Sequence, residues 1–363
     1  MKLYSPKVIG DIKKDYGFSL SKSLGQNFLT DKNTIDKIID QSNICHDDLV
    51  IEVGPGVGVI TKELAQRAGY VMAIEIDKRL IPVLQDTLSD FDNVEIVNED
   101  ILKVDVNSLI EGVKSKVNTP LRNAKIVGNL PYYITTPIVM KFLEERVDVS
   151  GITVMMQKEV ADRIEADEHS KDRGSISVAV QYYCTVHRIA NVSKDVFVPR
   201  PKVDSAVLRL DVRKSPPVKV IDDKLFFKAV KSGFSQRRKT IHNSLSSGLL
   251  MEKELLERIL DDLEIDRKRR AETLSIEEFA RISNAIFTCQ NKERNIEIEL
   301  SVLKEDISLN SLLFERYYDI HINISKDFSV NFPSLHPFHP AIPCQNHLNP
   351  SYSAFLLKIQ THY

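Results

Sequence analysis

An amide, a stiff turn and an aromatic ring follow the apolar stretch Lys125–Gly128 in the motif Asn129-Leu130-Pro131-Tyr132. An exocyclic adenine amine is a poor nucleophile because its lone pair is delocalised into the ring. Two acceptors that bind its N–H groups favour a pyramidal nitrogen, and the Asn129 side-chain oxygen and the Leu130 carbonyl are candidates. Pro131 cannot donate a competing N–H, and Tyr132 offers a face on which a flipped base can stack. The motif therefore predicts chemistry on a base amine; an ordinary turn at a strand end is the alternative.

A glycine-rich loop, Glu52–Gly58, lies between a strand-like and a helix-like segment. Glycines let the backbone approach a ligand closely, and the first turn of a helix offers free N–H groups. Glu75 ends the next strand, about 20 residues on, where an acid commonly binds ribose hydroxyls. Asp100 ends the strand after that and offers an acceptor for an adenine amine. These strand ends predict a nucleoside-binding crevice, against the alternative of a structural turn with solvated acids.

The elements that must position these residues alternate between strand and helix from about residue 31 to 157. This alternation predicts a mostly parallel sheet with helices on both faces. Residues 176–211 are ambiguous from pattern alone, and residues 222–287 have the pattern of short helices with charged faces. The predicted helices are Asp31–Ser42, Val59–Ala68 and Lys78–Ser89, and the predicted strands are Leu49–Val53, Val71–Ile74, Val94–Val97, Lys125–Gly128 and Ile152–Met156.

Composition excludes several classes of protein. Hydrophobic residues make up 42% of the 363 residues, enough for a substantial core, yet no run reaches the length of a membrane span. No apolar segment with a cleavage site follows the first residues, so we expect a cytoplasmic protein. The four cysteines are far apart and show no metal-binding spacing, which favours reduced thiols and no metal. A formal net charge of -2 does not indicate a nucleic-acid binder. Any indication of nucleic-acid binding must therefore come from local clusters of basic residues.

The cofactor fingerprint looks like that of class I methyltransferases, in which S-adenosyl-L-methionine places its ribose on the acid of the second strand. A nicotinamide enzyme is the rival interpretation, but the GxGxG spacing and the Asn129 motif count against it. Over about residues 18–287 the chain resembles the KsgA-type rRNA adenine N6,N6-dimethyltransferases. The matching motifs are Ser23–Leu29, Glu52–Thr61, Asn129–Tyr133, Met156–Val160, Phe197–Val207, Phe234–Lys239 and Arg270–Glu272.

The resemblance implies an α/β fold, a Rossmann-like seven-stranded and mostly parallel sheet with a small all-α C-terminal domain. It implies a methyltransferase domain over residues 1–214 and a helical rRNA-binding domain over 215–287. It also implies that Phe197 packs on the target base opposite Tyr132, with Asn129 and Leu130 as the catalytic acceptors. The implied contacts to S-adenosyl-L-methionine are Asn27, Leu29, Gly54, Glu75, Asp100 and Asn129.

The implied substrate is a pair of adjacent adenosines in a hairpin near the 3′ end of the small-subunit (16S) rRNA. The family methylates each adenosine twice within an immature ribosomal subunit, and we expect a monomer without metal or membrane contact. A macrolide-resistance methyltransferase, which modifies one adenosine of the large-subunit rRNA, is the runner-up within the superfamily. A ribosome-assembly factor, for which binding matters more than methylation, is an alternative of another class.

Two basic clusters stand out in this nearly neutral protein. Arg237, Arg238 and Lys239 are the predicted RNA-binding residues, because such clusters can make a local phosphate-binding face. Arg267–Arg270 form a weaker second candidate, and a solvated helix face is the alternative for both. Residues 288–363 hold five of the nine histidines and have no counterpart in the family pattern. We expect an atypical, poorly packed extension there rather than a metal site.

Overall fold

The computed structural model describes residues 2–19, 21, 24–117 and 120–291. Every described strand except the first lies between residues 48 and 212. The strands that begin at Phe28 and at Phe197 are only two residues long. The strands are β1 (Phe28–Leu29), β2 (Asp48–Val53), β3 (Tyr70–Ile74), β4 (Val94–Val97), β5 (Asn123–Asn129), β6 (Gly151–Gln157), β7 (Cys184–Val192), β8 (Phe197–Val198) and β9 (Ser205–Val212).

Helices separate the strands and then continue alone to the end of the described chain. The α-helices are α1 (Pro6–Asp15), α2 (Lys32–Gln41), α3 (Val59–Ala65), α4 (Ile81–Thr87), α5 (Val106–Lys116), α6 (Thr135–Glu144), α7 (Lys158–Glu165), α8 (Ser175–Tyr183), α9 (Asp223–Gly233), α10 (Ile241–Leu249), α11 (Lys253–Asp262) and α12 (276–291). Short 3₁₀ helices lie at Lys78–Leu80, Lys194–Val196 and Ala271–Thr273. None of the described helices has the length and apolar character of a membrane span.

Seven of the described strands form one sheet in the order β4-β3-β2-β5-β6-β9-β7. The first five are parallel, and β9 runs antiparallel to both β6 and β7. Every residue of β2 is buried, as a central strand covered by helices on both faces requires. The predicted seven-stranded, mostly parallel sheet is thus confirmed, and all its parallel strands end at one edge.

Local signals explain the starts of the helices that flank the sheet. Asp31 caps α2, and its carboxylate accepts the Thr34 N–H at 2.9 Å. The predicted helix Lys78–Ser89 is wrong as a single element, because a 3₁₀ turn precedes α4. Pro82 stands in the first turn of α4, where a missing N–H costs nothing and the fixed φ starts a new helix.

Three buried apolar clusters make the core of the described residues. Two of them cover the two faces of the sheet, and the third joins α9–α12. Val178 and Tyr182 of α8 belong to this third cluster, so the helical region shares its core with the sheet region. The helical C-terminal region is confirmed, whereas the domain boundary at 214/215 stays a prediction. Helix α12 runs through 291, beyond the predicted boundary at 287, and the rest of the predicted extension lies outside the described residues.

The ambiguous stretch 176–211 contains a helix and two long strands. Helix α8 is rich in β-branched and aromatic residues, so its sequence carries a strand-like composition within a helix. Strands β7 and β9 pair along their whole lengths apart from one irregularity between Arg188 and Ala190. The two short strands β1 and β8 form a separate antiparallel pair.

Candidate active site

A cleft opens at the carboxyl ends of the parallel strands, where ligands bind in open α/β sheets. Its empty space is about 1070 Å³, open solvent at the mouth included. The structure brings most of the predicted site residues to its walls. Those residues are Asn27, Leu29, Gly54, Glu75, Asp100, Asn129, Leu130 and Tyr132.

The glycine-rich loop after β2 turns through left-handed backbone conformations that favour glycine. Gly54 has φ of 72°, and a Cβ there would meet only the Asn129 carbonyl, at 4.0 Å. The space beside Gly54 is therefore open to a ligand. At Gly56 a Cβ would stand 2.7 Å from the Phe28 ring, so the loop packs against the segment that carries Asn27 and Leu29.

Glu75 directly follows β3 and is 4% exposed. Its two carboxylate oxygens accept backbone N–H groups, Oε1 from Asp77 at 2.8 Å and Oε2 from Gly56 at 3.2 Å. Burial raises the pKa of Glu75, and the same two hydrogen bonds oppose that rise. The predicted ribose acceptor is thus also the group that holds the glycine-rich loop against the end of β3.

Glu52, the penultimate residue of β2, is a cleft residue to which the sequence assigned no role. It is 1% exposed, and its Oε2 has no hydrogen-bond partner among the described residues. Burial, with a further contribution from the negative charge of Glu75, raises the pKa of Glu52 to about 8. The only sequence signal was its place at the start of the glycine-rich motif, since an acid inside a buried strand is costly unless it meets a partner.

Asp100 lies three residues beyond β4, which ends at Val97. The prediction that Asp100 ends its strand is therefore wrong in detail, because the backbone turns away at Asn98, whose side chain donates to the Glu75 carbonyl at 2.7 Å. Asp100 Oδ1 accepts the Leu102 N–H at 3.1 Å. The carboxylate still lines the cleft, at the end opposite Asn129 in strand order.

Asn129 is the last residue of β5, and its amide has a defined orientation. Its Nδ2 donates to the Asn27 carbonyl at 3.0 Å, and the Asn27 side chain in turn donates to the Gly25 carbonyl at 3.0 Å. The Asn129 Oδ1 accepts no hydrogen bond from the described residues, nor does the Leu130 carbonyl. Both predicted acceptors thus lack a protein donor among the described residues.

The turn after Asn129 is closed by its own backbone. The Pro131 carbonyl accepts the Ile134 N–H at 3.1 Å and the Thr135 hydroxyl at 3.0 Å. The Tyr132 hydroxyl lies 2.7 Å from Oγ of the buried Ser205. These contacts fix the ring of Tyr132 at the wall of the cleft, and burial raises the pKa of its hydroxyl.

Of the predicted catalytic and cofactor-binding residues, Phe197 is the one that does not line the cleft. It is 3% exposed and belongs to a sheet-face cluster. Strand β8, which carries it, pairs with β1 so that Leu29 faces Phe197 in the register. This burial agrees with the ordinary expectation for a lone aromatic residue, and its stacking role stays a prediction.

The two basic clusters differ in how they are paired. Arg237, Arg238 and Lys239 are all exposed on the turn between α9 and α10, and none forms an ion pair among the described residues. Arg237 instead donates to the Lys171 carbonyl. The second cluster is more structural, because Arg267 pairs with Glu257 and Arg269 pairs with Glu278.

The polar groups of the cleft fit S-adenosyl-L-methionine, which carries ribose hydroxyls, an ammonium and a sulfonium. The buried acids at Glu52 and Glu75 offer oxygens that suit the ribose hydroxyls and the ammonium, and the open space at Gly54 admits a ligand against the loop. The described residues contain no group of three or more acids, histidines or cysteines placed to hold a metal ion. Fold and cleft together define a class I methyltransferase.

Comparison with known proteins gives the family. The chain matches the model described as ribosomal RNA adenine dimethylase over residues 17–286. It therefore belongs to the ribosomal RNA adenine dimethylase family, and S-adenosyl-L-methionine is its methyl donor.

The curated relatives share one name, ribosomal RNA small subunit methyltransferase A. The protein of Alkaliphilus oremlandii is 50% identical over 284 residues, which cover 78% of this chain and 97% of its own. The protein of Clostridioides difficile is 52% identical over 287 residues, covering 79% and 98%.

Two solved structures share the fold. A dimethyladenosine transferase from Plasmodium falciparum superposes with a TM-score of 0.58 at 24% identity, covering 70% of this chain and 95% of its own. The 23S rRNA methyltransferase ErmE superposes with a TM-score of 0.53 at 27% identity, covering 71% and 98%. The predicted class I fold is confirmed.

Proposed function

We propose that this enzyme transfers methyl groups from S-adenosyl-L-methionine to N6 of two adjacent adenosines in a hairpin near the 3′ end of small-subunit rRNA. Each adenosine receives two methyl groups, and the substrate is an immature ribosomal subunit. The observation that carries the proposal is the pair of carbonyl oxygens at the end of β5. Asn129 Oδ1 and the Leu130 carbonyl lie at the cleft wall without protein donors among the described residues.

S-adenosyl-L-methionine supplies a methyl group already activated on a sulfonium, so the protein needs only to bind, orient and exclude water. Glu75 is the acceptor for ribose hydroxyls, and Asp100 is the acceptor for the adenine amine. The open backbone at Gly54 and the segment with Asn27 and Leu29 complete the cofactor wall. Because Glu75 also holds Gly56 and Asp77, the loop keeps its shape before any ligand arrives.

The target amine has two N–H groups, and Asn129 and Leu130 offer one oxygen to each. Accepting both hydrogen bonds draws the nitrogen lone pair out of conjugation with the ring and aims it across the cleft. The hydrogen bond from Asn129 Nδ2 to Asn27 keeps the amide oxygen turned towards the ligand. Orientation of this kind can account for several kcal/mol of a reaction barrier.

The second methyl transfer meets a different amine, because the monomethylated nitrogen keeps a single N–H. Only one of the two oxygens can then accept a hydrogen bond, and the first methyl group must lie beside the other. The ring of Tyr132, fixed by Ser205, holds the base in place by stacking for both transfers. Phe197 is the proposed partner on the opposite face of the base.

The exposed turn with Arg237, Arg238 and Lys239 is the proposed contact to rRNA phosphates, which would position the substrate without choosing the base. The small subunit is favoured over the large one by the shared name of the curated relatives. We propose that the enzyme works as a monomer in the cytoplasm and contributes to subunit biogenesis.

The experiment that tests this function maps methylated adenosines by reverse-transcription stops. Undermethylated small and large subunits are incubated with S-adenosyl-L-methionine and the wild-type protein or Asn129→Ala. With the wild-type protein we expect strong stops at two adjacent adenosines of the small-subunit rRNA, and with Asn129→Ala we expect none. Stops confined to the large-subunit rRNA would instead support the macrolide-resistance alternative. Binding to the small subunit without any stop would support an assembly factor.

A further inference from the structure

A second cleft, polar and open, lies between the first turns of α7 and the loop that leads into β9. Its empty space is about 1020 Å³, open solvent included. Lys202 stands on the loop, Lys194 on the 3₁₀ helix before β8, and Arg237 reaches the cleft from the helical C-terminal region. The sequence predicted Arg237, Arg238 and Lys239 as one unit, but only Arg237 lines this cleft.

Three cations of this cleft, Lys194, Lys202 and Arg237, form no ion pair with a carboxylate of the described residues. Arg237 is held across the cleft by its donation to the Lys171 carbonyl, which leaves its positive charge uncompensated. The remaining cations are paired along their own helix, Lys158 with Asp162 at 2.7 Å and Arg163 with Glu159 at 2.8 Å.

Two acids on the wall of this cleft, Asp172 and Asp204, form no ion pair with the described residues, but they are too few to make it a cation site. Asp204 Oδ1 accepts the Lys194 backbone N–H at 3.0 Å, which fixes the loop, and Asp172 is the other unpaired acid on the wall. Against the three free cations these two acids leave one positive charge in excess. None of the described acids is grouped to hold a metal ion. The cleft therefore suits an anion with several oxygens.

The cleft adjoins the place where the target base is proposed to stack. Asp204 on its wall directly precedes Ser205, and Ser205 Oγ lies 2.7 Å from the Tyr132 hydroxyl. Lys158 likewise directly follows β6, and its backbone N–H donates to the Asp204 carbonyl at 3.0 Å. A nucleotide beside a base held at Tyr132 thus has its backbone next to this cleft.

We propose that this cleft binds a backbone phosphate of the RNA strand beside the target adenosine. This inference rests on the proposed function, because it takes rRNA as the substrate. Lys194, Lys202 and Arg237 neutralise the phosphodiester and release its counterions, which makes the contact salt-dependent. A phosphate held there positions the strand while Tyr132 and Asn129 act on the base.

The test compares the wild-type protein with Lys194→Ala/Lys202→Ala in binding to undermethylated small subunits across a salt titration. We expect affinity to fall about 10-fold, and the slope of log affinity against log salt to become shallower by about 0.7, the value for the loss of one phosphate contact on a single strand. Binding of S-adenosyl-L-methionine, measured by calorimetry, stays unchanged. The matched control is Lys14→Ala/Lys253→Ala, which removes two exposed lysines outside the cleft and keeps the wild-type affinity and slope.

Phosphate-ethylation interference then locates the contact. Ethylation of a phosphate next to the target adenosine should block binding of the wild-type protein and have little further effect on the double variant. The double variant could instead keep the wild-type affinity and salt slope while the wild-type protein methylates normally. That result would overturn the proposed phosphate site and leave the proposed function intact. A wild-type protein that neither binds nor methylates the subunit would overturn the proposed function itself.

Discussion

At the carboxyl ends of β3 and β5, side chains are held in place by the backbone, whereas Arg237, Arg238 and Lys239 lie exposed on a turn. Glu75 and Asn129 each make a hydrogen bond to a neighbouring main-chain group before any ligand binds. Among the described residues the three basic side chains have no carboxylate partner, and the contact given for them is the donation of Arg237 to the Lys171 carbonyl. The difference matches two tasks, since a reaction needs fixed geometry and attraction to a phosphate backbone needs mainly charge.

The largest expected effect comes from removing a fixed acceptor. Asn129→Ala deletes the oxygen proposed to bind one N–H of the target amine, and we expect single-turnover methyl transfer to fall by at least about 100-fold. Subunit binding should survive, because most RNA contacts lie elsewhere. Quenched-flow transfer of labelled methyl groups at saturating cofactor measures the rate, with binding measured in parallel.

Asn93→Ala is the matched control for this variant. Asn93 also uses its amide to bind main-chain carbonyls, those of Ala65 and Ala68 at 2.9 and 3.1 Å, but it lies outside the cleft. It should lower stability and leave the transfer rate unchanged. Equal rates for Asn129→Ala and the wild-type protein would remove Asn129 from the mechanism.

The second effect is a pH dependence of folding stability, caused by the burial of the Glu52 carboxyl in the cleft. The pKa of Glu52 is raised to about 8 from an ordinary 4.5. Between these values the folded protein holds a proton that the unfolded chain has lost, so stability falls as the pH rises through this window. The contribution is fully present below pH 4.5 and lost as the pH rises through 8. Its steepest slope is about 1.4 kcal/mol per pH unit.

Urea unfolding at several pH values tests this difference. Glu52→Gln stays neutral, so the wild-type protein should lose stability relative to it between about pH 5 and about pH 8. Glu95→Gln serves as the control, because Glu95 lies in β4, outside the cleft, and accepts the Tyr70 hydroxyl at 2.9 Å. Parallel pH profiles for the wild-type protein and Glu52→Gln would show that Glu52 is ionised in the folded state.

A third effect separates ligand binding from support of the loop. Glu75→Ala removes the proposed ribose acceptor, and the loss of a charged acceptor is worth about 1.5–3 kcal/mol. Calorimetry should show affinity for S-adenosyl-L-methionine lower by about 10-fold or more. The melting temperature should fall as well, since the N–H groups of Gly56 and Asp77 lose their acceptor. An unchanged affinity with a lower melting temperature would leave Glu75 with the supporting role alone.

The smallest effect is expected at the exposed turn. Replacing Arg237, Arg238 and Lys239 with Ala should weaken subunit binding by about 10-fold and flatten its salt dependence, while cofactor affinity and melting temperature stay near the wild-type values. Arg267→Ala is an informative comparison, because its pairing with Glu257 predicts a loss of stability rather than a change in the salt slope. Identical salt titrations for the triple variant and the wild-type protein would mean that the turn is only a solvated surface.

Much of the strand-end site could be predicted because each of its residues directly follows an apolar run. Parallel strands end at one edge, so the sequence predicts that the glycine-rich loop, Glu75 and Asn129 lie together. The pairing of β1 with β8 could not be predicted from pattern, since two residues are too few to show alternation. Phe197 lies in that pairing, so its burial could not be predicted from the sequence pattern either.

The polar cleft shows a second limit of sequence reasoning. Lys194, Lys202 and Arg237 come from separate loops, and only the tertiary fold brings them to one wall. The run Arg267–Arg270 shows the opposite case. It is dense in positive charge along the sequence, but two of its arginines form ion pairs with Glu257 and Glu278. Charge density along the chain therefore indicates where cations are, and the fold decides which of them remain available.

The short pairing of β1 with β8 has a mechanical consequence. It joins the segment that carries Asn27 and Leu29 to the segment that carries Phe197, and Thr30 adds a hydrogen bond to the Val196 carbonyl at 2.8 Å. Any displacement of Leu29 must therefore pull on the backbone beside Phe197, at a point more than 160 residues further along the chain. The paired strands couple these two segments mechanically, so that the segment with Asn27 and Leu29 and the segment with Phe197 move together.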